Sequence, residues 1–171
     1  DDGSMALYRS NFDEYSPLED SSSVRYWLYT EADGYRRLPG RYHEAYLGQS
    51  GSVLGLTHRA VEPLTAGLIG IPSVGQSAGV TATLMSGDQS LSCDLSHSTL
   101  SFGTSTQWRS DGRGVIFTNS TIDSQHIFDL DSGACGKTAN QFYLGDELLE
   151  REPTGVRWKN QLVDFADHPP S

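Results

Sequence analysis

The segment from Cys93 to Cys135 constrains the fold more than any other part of the sequence, because it holds both cysteines of the chain. Between them, Ser110-Asp111-Gly112-Arg113 supplies an Asp-Gly turn with strand-type residues on both sides. A polar stretch at residues 119–125 separates two further strand-type runs, and Asp131-Ser132-Gly133 ends the second of them. This alternation of short β-rich runs and turns predicts a β-meander.

The two cysteines predict one disulfide. Two cysteines 42 positions apart do not make a zinc site, so they are either free buried thiols or a bonded pair. We expect the bond, because turn-rich β segments bring their ends together easily. The chain-entropy model assigns a disulfide over such a loop about 4 kcal/mol of stabilisation. It implies an oxidising compartment, such as a periplasm or an extracellular space.

Length and composition indicate one β-rich domain. A chain of 171 residues can bury a sizeable core, and 18 glycines with many Ser and Thr favour strands and turns over helices. We expect a mostly β fold, an antiparallel, propeller-blade-like sheet closed by the disulfide, with one short helix. We assign residues 1–23 to a cloning remnant and a flexible arm, 24–165 to the domain and 166–171 to a tail. Since Gly3-Ser4-Met5 is typical of a cloning remnant, we also expect a secretion signal to have been removed.

Several elements can be predicted from local sequence. The best helical candidate is Gly145–Arg151, which is rich in helix formers and is followed by Pro153. β-Branched and aromatic residues predict strands at Val24–Thr30, Leu68–Val74, Val80–Met85, Thr99–Phe102, Thr106–Arg109, Gly114–Thr118 and His126–Leu130, and a last one beginning at Val156.

The charge and the length of the apolar runs argue against a nucleic-acid partner and against a membrane-spanning segment. The formal net charge is −10, and Lys137 and Lys159 are the only lysines. Nucleic-acid binding requires clustered basic side chains to neutralise phosphates, so we expect no nucleic-acid partner. No apolar run approaches the roughly 20 residues that a membrane-spanning helix needs, so we expect no membrane span.

One motif raises a catalytic alternative. Gly75-Gln76-Ser77-Ala78-Gly79 fits the nucleophile elbow of serine hydrolases, and Asp129 or Asp131 and then His168 follow in the matching order. That elbow must lie between a strand and a long helix, whereas Gly79–Ser86 is short and rich in β-branched residues. We therefore favour a simple turn, and a small serine hydrolase using Ser77 remains the alternative.

The chain offers no pattern that predicts a metal or another cofactor. Asp129-Leu130-Asp131-Ser132-Gly133 resembles the start of a calcium loop, but the twelfth position is Asn140 and not an acidic residue. The five histidines are dispersed, and none pairs with another at the spacing of metal ligands. We expect a protein without catalytic residues, metal or cofactor.

Two family resemblances meet in the cysteine segment. Residues 110–133 resemble a blade of TolB-like β-propellers, whose repeats contain Ser-x-Asp-Gly-Arg, a strand, a polar turn, a second strand and Asp-x-x-x-Gly. The tighter resemblance is to the periplasmic immunity proteins that neutralise type VI secretion peptidoglycan amidases. In that family a cysteine, Asp-Gly-Arg and a second cysteine recur, here as Cys93, Asp111-Gly112-Arg113 and Cys135. A Gly-x-Arg-Trp motif follows, here as Gly155-Val156-Arg157-Trp158.

The second resemblance implies a periplasmic, non-catalytic protein that binds and occludes a secreted bacterial cell-wall hydrolase. In that family a hairpin loop enters the cleft of a Cys-His amidase, and Asp123 and Ser124 take the tip positions here. A structural module of a periplasmic or surface assembly remains a third interpretation. By position, the partner-binding loop comprises Asn119, Ser120, Thr121, Ile122, Asp123, Ser124 and Gln125.

Overall fold

The computed structural model describes residues 5–10, 23–60, 77–96, 104–119 and 124–164. Most of these residues lie in β-strands, and the strands form four antiparallel sheets that follow one another along the chain. The mostly β, blade-like fold predicted from the sequence is confirmed. In the described part no helix is long and apolar enough to cross a membrane.

Each sheet is a meander, because its strands lie side by side in chain order. Sheet 1 contains β1 (Met5–Ser10), β2 (Arg25–Thr30) and β3 (Gly34–Arg37). Sheet 2 contains β4 (Glu44–Leu47), β5 (Val53–Ala60), β6 (Ser77–Ser86) and β7 (Gln89–Ser96). Sheet 3 contains β8 (Thr104–Trp108), β9 (Gly114–Asn119), β10 (Ser124–Asp129) and β11 (Ala134–Thr138). Sheet 4 contains β12 (Gln141–Leu144), β13 (Glu147–Arg151), β14 (Gly155–Trp158) and β15 (Gln161–Asp164).

Strand β9 in sheet 3 and the first residues of β5 in sheet 2 are buried on both faces, which explains their continuous apolar runs. In β9, Val115 and Phe117 pack toward sheet 2, whereas Ile116 between them packs toward sheet 4. Successive side chains of a strand point to opposite faces, so a strand covered on both sides needs apolar residues at every position. The runs in β5 and β9 meet this requirement.

Three apolar cores therefore alternate with the four sheets. The core between sheets 1 and 2 includes Tyr26, Leu28, Leu38, Tyr42, Val53 and Met85. The core between sheets 2 and 3 includes Leu54, Leu56, Leu84, Phe117 and Phe128. The core between sheets 3 and 4 is smaller and consists of Ile116, Ile127 and Tyr143. Four-stranded meanders that stack face to face are also the arrangement of β-propeller blades.

The disulfide between Cys93 and Cys135 is confirmed, but it does not close a single meander. Cys93 lies in β7, the last strand of sheet 2, and Cys135 lies in β11, the last strand of sheet 3. Their Cα atoms are 6.3 Å apart. The bond therefore ties two neighbouring sheets together at matching edge strands.

The helix predicted at Gly145–Arg151 is wrong, because these residues form a turn followed by β13. Gly145 has φ of 62° and lies in the tight turn after β12. Leu149 pairs with Phe142 across the resulting hairpin. The short helical element in the described residues is instead a 3₁₀ turn, Gln49–Gly51. Cross-strand packing outweighs the helical preference of Glu-Leu-Leu-Glu-Arg.

Part of the predicted flexible arm is also a strand. Residues 5–10 form β1, which pairs along its length with β2. Leu7 packs against the core between sheets 1 and 2, which gives this segment a buried face. The predicted strands at residues 24–30, 80–85, 106–109, 114–118, 126–130 and 156 onward coincide with β2, β6, β8, β9, β10 and β14. Those at residues 68–74 and 99–102, and the tail at 166–171, lie outside the described residues.

Candidate functional site

The connections between strands divide between two ends of the stack, because alternate turns of a meander lie at the same end. We call the end that carries the turns at residues 109–113, 130–133 and 145–146 the motif end. The opposite end, which we call the loop end, carries the connections at residues 119–124 and 139–140. The partner-binding loop predicted from the sequence therefore lies at the loop end, away from the Asp-Gly-Arg turn.

The structure describes only the two ends of that predicted loop. Asn119 ends β9, Ser124 begins β10, and the two residues pair across the hairpin. Ser124 was expected at the tip, but it belongs to the strand, and its buried Oγ has no hydrogen-bond partner among the described residues. Ser120, Thr121, Ile122 and Asp123 lie outside the described residues. Among the described members of the predicted set, Gln125 lines a cavity.

That cavity has a volume of about 410 Å³ and opens between sheets 3 and 4 at the loop end. Sheet 3 contributes Gln107, Thr118 and Gln125 to its wall, and the buried Ile116 to its floor. Gln125 pairs with Thr118 in register, and its Nε2 donates a hydrogen bond of 3.4 Å to Thr118 Oγ1.

The Gln107 side chain holds sheets 3 and 4 together beside the cavity. Its Nε2 donates to the carbonyl oxygen of Tyr143 at 3.0 Å, and its Oε1 accepts from the Tyr143 N–H at 3.2 Å. The side-chain amide of Gln107 thus bonds both backbone groups of Tyr143, in the same way as the backbone of a neighbouring strand bonds its partner. This two-point contact fixes the position of β12 relative to β8.

The other side of the cavity is formed by the connection between β11 and β12 and by the end of β13. Asn140 has φ of 60°, and its carbonyl accepts a hydrogen bond of 2.6 Å from the N–H of Arg151. Thr138 donates its hydroxyl to Gln141 across the same turn. The guanidinium of Arg151 lies 5.5 Å from the ring centroid of Phe142, within the range of a cation–π contact.

The chemistry of this cavity is that of a binding site. The described residues of its lining offer side-chain amides, hydroxyls and one guanidinium, and they include no Cys, His, Asp or Glu. Such groups can hydrogen-bond a polar chain and pair with a carboxylate. Across the described part of the chain, no group of three or more His, Cys, Asp or Glu side chains could hold a metal ion.

At the motif end, the Asp-Gly-Arg turn is held by a network of ion pairs. The guanidinium of Arg109 lies 2.7 Å from Asp111, 3.2 Å from Asp129 and 2.6 Å from Asp131. Arg113 donates from Nε to Asp131 at 2.8 Å. These contacts tie the β8–β9 turn to the β10–β11 turn of the same sheet.

Asp129 is the buried member of the network, and its carboxylate is fully hydrogen-bonded. One oxygen accepts from the N–H groups of Asp131 and Ser132 and from the Ser132 hydroxyl, at 3.1, 2.9 and 2.9 Å. The other accepts from Arg109 and from the Tyr143 hydroxyl, the latter at 2.9 Å. Burial alone would raise the pKa of Asp129, but the bonds from Ser132, Tyr143 and Arg109 outweigh it and hold that pKa below its usual range.

The same turn touches the turns of both neighbouring sheets. Gly112 has φ of 74°, and a Cβ atom at this position would lie 2.4 Å from the backbone oxygen of Gln49 and from Ser52 Oγ in sheet 2. On the other side, the N–H of Ser110 donates to the carbonyl of Gly145 at 3.1 Å. The Asp-Gly-Arg turn of sheet 3 therefore contacts both sheet 2 and sheet 4.

The remaining sequence candidates that the structure describes do not form a site with one another. Ser77 begins β6, and the residues after it continue as a strand to Ser86, where a nucleophile elbow requires a helix. Gly75, Gln76 and His168 lie outside the described residues. The carboxylates of Asp129 and Asp131, weighed above as calcium ligands, are occupied by Arg109 and Arg113.

No sequence pattern pointed to most of the residues that line the cavity. Gln107 and Arg151 lie far from the predicted loop in the chain, and Arg151 fell in the segment expected to be helical. A strand assignment for residues 147–151 would have placed Arg151 at the loop end. No protein-family model, curated protein or solved structure matches this chain.

Proposed function

We propose that this chain is a non-catalytic binding protein whose loop end holds a protein partner. The observation that carries the proposal is the cavity beside Gln125, which places hydrogen-bonding amides next to the hairpin predicted to bind. On the family resemblance of the cysteine segment, the partner is a secreted bacterial cell-wall amidase, and the chain is its periplasmic immunity protein.

The scaffold of the loop end suits such a role. The predicted loop joins β9 and β10, which are the two central strands of sheet 3. Sheet 3 is packed on both faces and is joined to sheet 2 by the Cys93–Cys135 disulfide. A hairpin anchored in this way loses little conformational entropy on binding, which favours affinity.

The chemistry of the loop end suits a protein surface. The amides of Gln125 and Asn140 can bond main-chain groups of a partner, and the Arg151 guanidinium can donate hydrogen bonds to a carboxylate of the partner. The formal net charge of −10 would accelerate encounter with a basic enzyme. An inhibitor of this type acts by occupying the enzyme's cleft in a one-to-one complex.

The test is a binding titration with a purified Cys-His peptidoglycan amidase encoded next to this chain. Gln125→Arg should raise Kd by at least about tenfold, equivalent to about 1.4 kcal/mol, because it adds bulk and charge to the cavity wall. The matched control is Gln89→Arg, which changes the same residue type at an exposed position. Gln89 begins β7 at the motif end of sheet 2, away from the cavity, so this substitution should leave Kd unchanged.

Hydrolysis of peptidoglycan by the same amidase provides the second readout. The unaltered chain should abolish it at a one-to-one ratio, and Gln125→Arg should restore it. Equal inhibition by the unaltered chain and by Gln125→Arg would show that the loop end is not the binding surface. An absence of both binding and inhibition would remove the amidase as the partner.

A further inference from the structure

A row of three polar side chains on sheet 3 borders the cavity at the loop end. Thr118 of β9 and Thr138 of β11 both pair in register with Gln125 of β10, so the three side chains lie next to one another on one face. That face is turned toward sheet 4, because side chains two positions apart share a face, and Ile116 and Ile127 belong to the core between sheets 3 and 4. We call these three residues the polar row, and all of them line the cavity.

The polar row has hydrogen-bonding groups that the fold does not use. The amide of Gln125 donates from Nε2 to Thr118 Oγ1 at 3.4 Å, a distance longer than that of a typical hydrogen bond. Among the described residues, no hydrogen bond joins the Gln125 amide to sheet 4. Its Oε1 and its second Nε2 hydrogen therefore remain available, as does the hydroxyl hydrogen of Thr118. The cavity wall thus offers both an acceptor and donors to an occupant.

The same face of sheet 3 already binds a backbone through a glutamine amide. Gln107 of β8 pairs with Ile116, so it lies on this face, one row further from the loop end than Gln125. Gln107 donates to the carbonyl of Tyr143 at 3.0 Å and accepts from the N–H of that residue at 3.2 Å. Neighbouring antiparallel strands exchange the same pair of bonds. Gln107 therefore shows, within this molecule, how a glutamine on this face holds a peptide backbone.

The cavity gives an occupant access to Gln125. Its volume of about 410 Å³ lies near the lower end of the roughly 300–1,000 Å³ that small-ligand sites span, so it admits a short segment of chain and not a folded element. The connection at residues 139–140 and Gln141 border it on the side of sheet 4. Because the cavity opens beside the predicted partner-binding loop, a partner held at the loop end lies within reach of it.

The walls of the cavity favour an occupant that carries amides. The described lining holds no carboxylate or imidazole to pair with a cation. An apolar occupant would remove water from the amides of the wall without replacing its hydrogen bonds, which is unfavourable. A peptide unit has one donor and one acceptor, and Gln125 can satisfy both at once. Arg151 is the one charged residue of the described lining, and its guanidinium lies against the ring of Phe142, so a carboxylate is the competing occupant.

We propose that the cavity takes a short extended segment of the protein partner and binds it by its backbone. Gln125 accepts a hydrogen bond from a backbone N–H of the segment and donates one to a backbone carbonyl, as Gln107 does with Tyr143. The inference rests on the proposed function for the presence of a protein partner at the loop end, and it adds which part of that partner enters the cavity. Recognition of backbone groups tolerates changes in the side chains of the segment.

Short peptides test this contact without the amidase. The probe is the tripeptide Ala-Ser-Ala with an acetylated amino end and an amidated carboxyl end. It is titrated at millimolar concentration while nuclear magnetic resonance follows the side-chain amide of Gln125, which should shift on binding. Methylating the backbone nitrogen of the central residue removes a donor and should raise Kd at least about tenfold, whereas Ala-Val-Ala should bind within about threefold of Ala-Ser-Ala.

Substitution of Gln125 provides the test on the side of the protein. Gln125→Met keeps the length of the side chain and removes its hydrogen-bonding groups, so it should raise Kd for Ala-Ser-Ala at least about tenfold. The matched control is Gln89→Met, at an exposed position at the motif end of sheet 2, which should bind the peptide as the unaltered chain does. The methylated peptide requires no substitution, so it decides the question even if Gln125→Met alters the fold.

Three results would overturn the inference. The first is the absence of any shift with either peptide. The second is equal binding of the methylated and unmethylated peptides with tighter binding of Ala-Gln-Ala, which would identify a side-chain amide as the occupant. The third is tighter binding of a peptide with a free carboxyl end that is lost in Arg151→Gln, which would identify a carboxylate.

The amidase titration is a separate measurement, so the two proposals can fail separately. Peptide binding without amidase binding would support the backbone contact and remove the amidase as the partner. Amidase binding without any peptide shift would retain the proposed function and remove the backbone contact.

Discussion

The hydroxyl of Tyr143 donates a hydrogen bond of 2.9 Å to the carboxylate of Asp129, and this bond connects sheet 4 to the motif end of sheet 3. Both residues are buried, and they lie 14 positions apart in the chain. Burial first, and then the adjacent carboxylate of Asp129, raise the pKa of the Tyr143 phenol, so the phenol stays protonated as the donor. The contact complements the two hydrogen bonds that Gln107 makes with the backbone of the same tyrosine.

We expect Tyr143→Phe to lower the free energy of unfolding by about 1–2 kcal/mol, because it removes one donor from a buried carboxylate and leaves the ring packing intact. Urea denaturation monitored by circular dichroism measures the change. Tyr35→Phe is the matched control, since the Tyr35 side chain is exposed and its loss of a hydroxyl should change stability by less than about 0.5 kcal/mol. Equal effects of the two substitutions would contradict a structural role for the Tyr143–Asp129 bond.

Gly112→Ala should destabilise the fold more than Gly133→Ala. Both glycines have a positive φ, 74° and 68°, so both substitutions introduce backbone strain of about 1 kcal/mol. A Cβ atom at position 112 would also meet Gln49 and Ser52 of sheet 2 at 2.4 Å, whereas one at position 133 would meet nothing within 4 Å. The crowding should add about 1–3 kcal/mol for Gly112→Ala. Thermal or urea unfolding of the two variants gives this difference, and identical losses would show that the turn does not pack against sheet 2.

Stability should fall as the pH is lowered below about 6.5, the ordinary pKa of a histidine, because of His126. Its side chain is 2% exposed in β10, between Phe117 of β9 and Lys137 of β11. Burial, and secondly the charge of Lys137, hold the pKa of His126 below its ordinary value. The unfolded state therefore binds the proton more readily than the folded state. The stabilisation is complete above the unfolded pKa and is lost as the pH drops through the window between the two values.

The pH dependence can be assigned with two variants. The free energy of unfolding, measured in urea at steps between pH 7.5 and 5, should lose its slope in this window for His126→Leu. His43→Gln changes a half-buried histidine in the connection before β4 and should keep the slope. A slope that persists in His126→Leu would assign the effect to another group.

The sequence was sufficient for the elements whose local pattern and tertiary setting agree. The runs around Val115 and Phe128 are apolar and flanked by Asp-Gly or Asp-x-x-x-Gly turns, so they predict strands correctly. The disulfide between Cys93 and Cys135 was expected because both cysteines flank turn-rich β segments whose ends meet easily, and the structure confirms it. Which sheets the bond joins did not follow, because the register of β7 and β11 depends on packing between sheets.

Sequence reasoning failed where distant contacts decide the outcome. The segment Glu147–Arg151 consists of good helix formers, yet pairing with Phe142 and its neighbours makes it a strand. The bonds of Gln107 to Tyr143, and of Arg109 to Asp129, span 36 and 20 positions. Such partners carry no local pattern, so the cavity and the ion-pair network become visible only in three dimensions.

The serial packing of the four sheets has a consequence for how the molecule opens. Each apolar core is shared by two successive sheets, so stability is distributed as contributions of single sheets and of their nearest-neighbour interfaces. Within the described part of the chain, sheets 1 and 4 each share one such core, whereas sheets 2 and 3 each share two and are covalently joined by Cys93 and Cys135. Backbone amides of the outer sheets should exchange with solvent early, by fraying from either side, and those of β6 and β9 last.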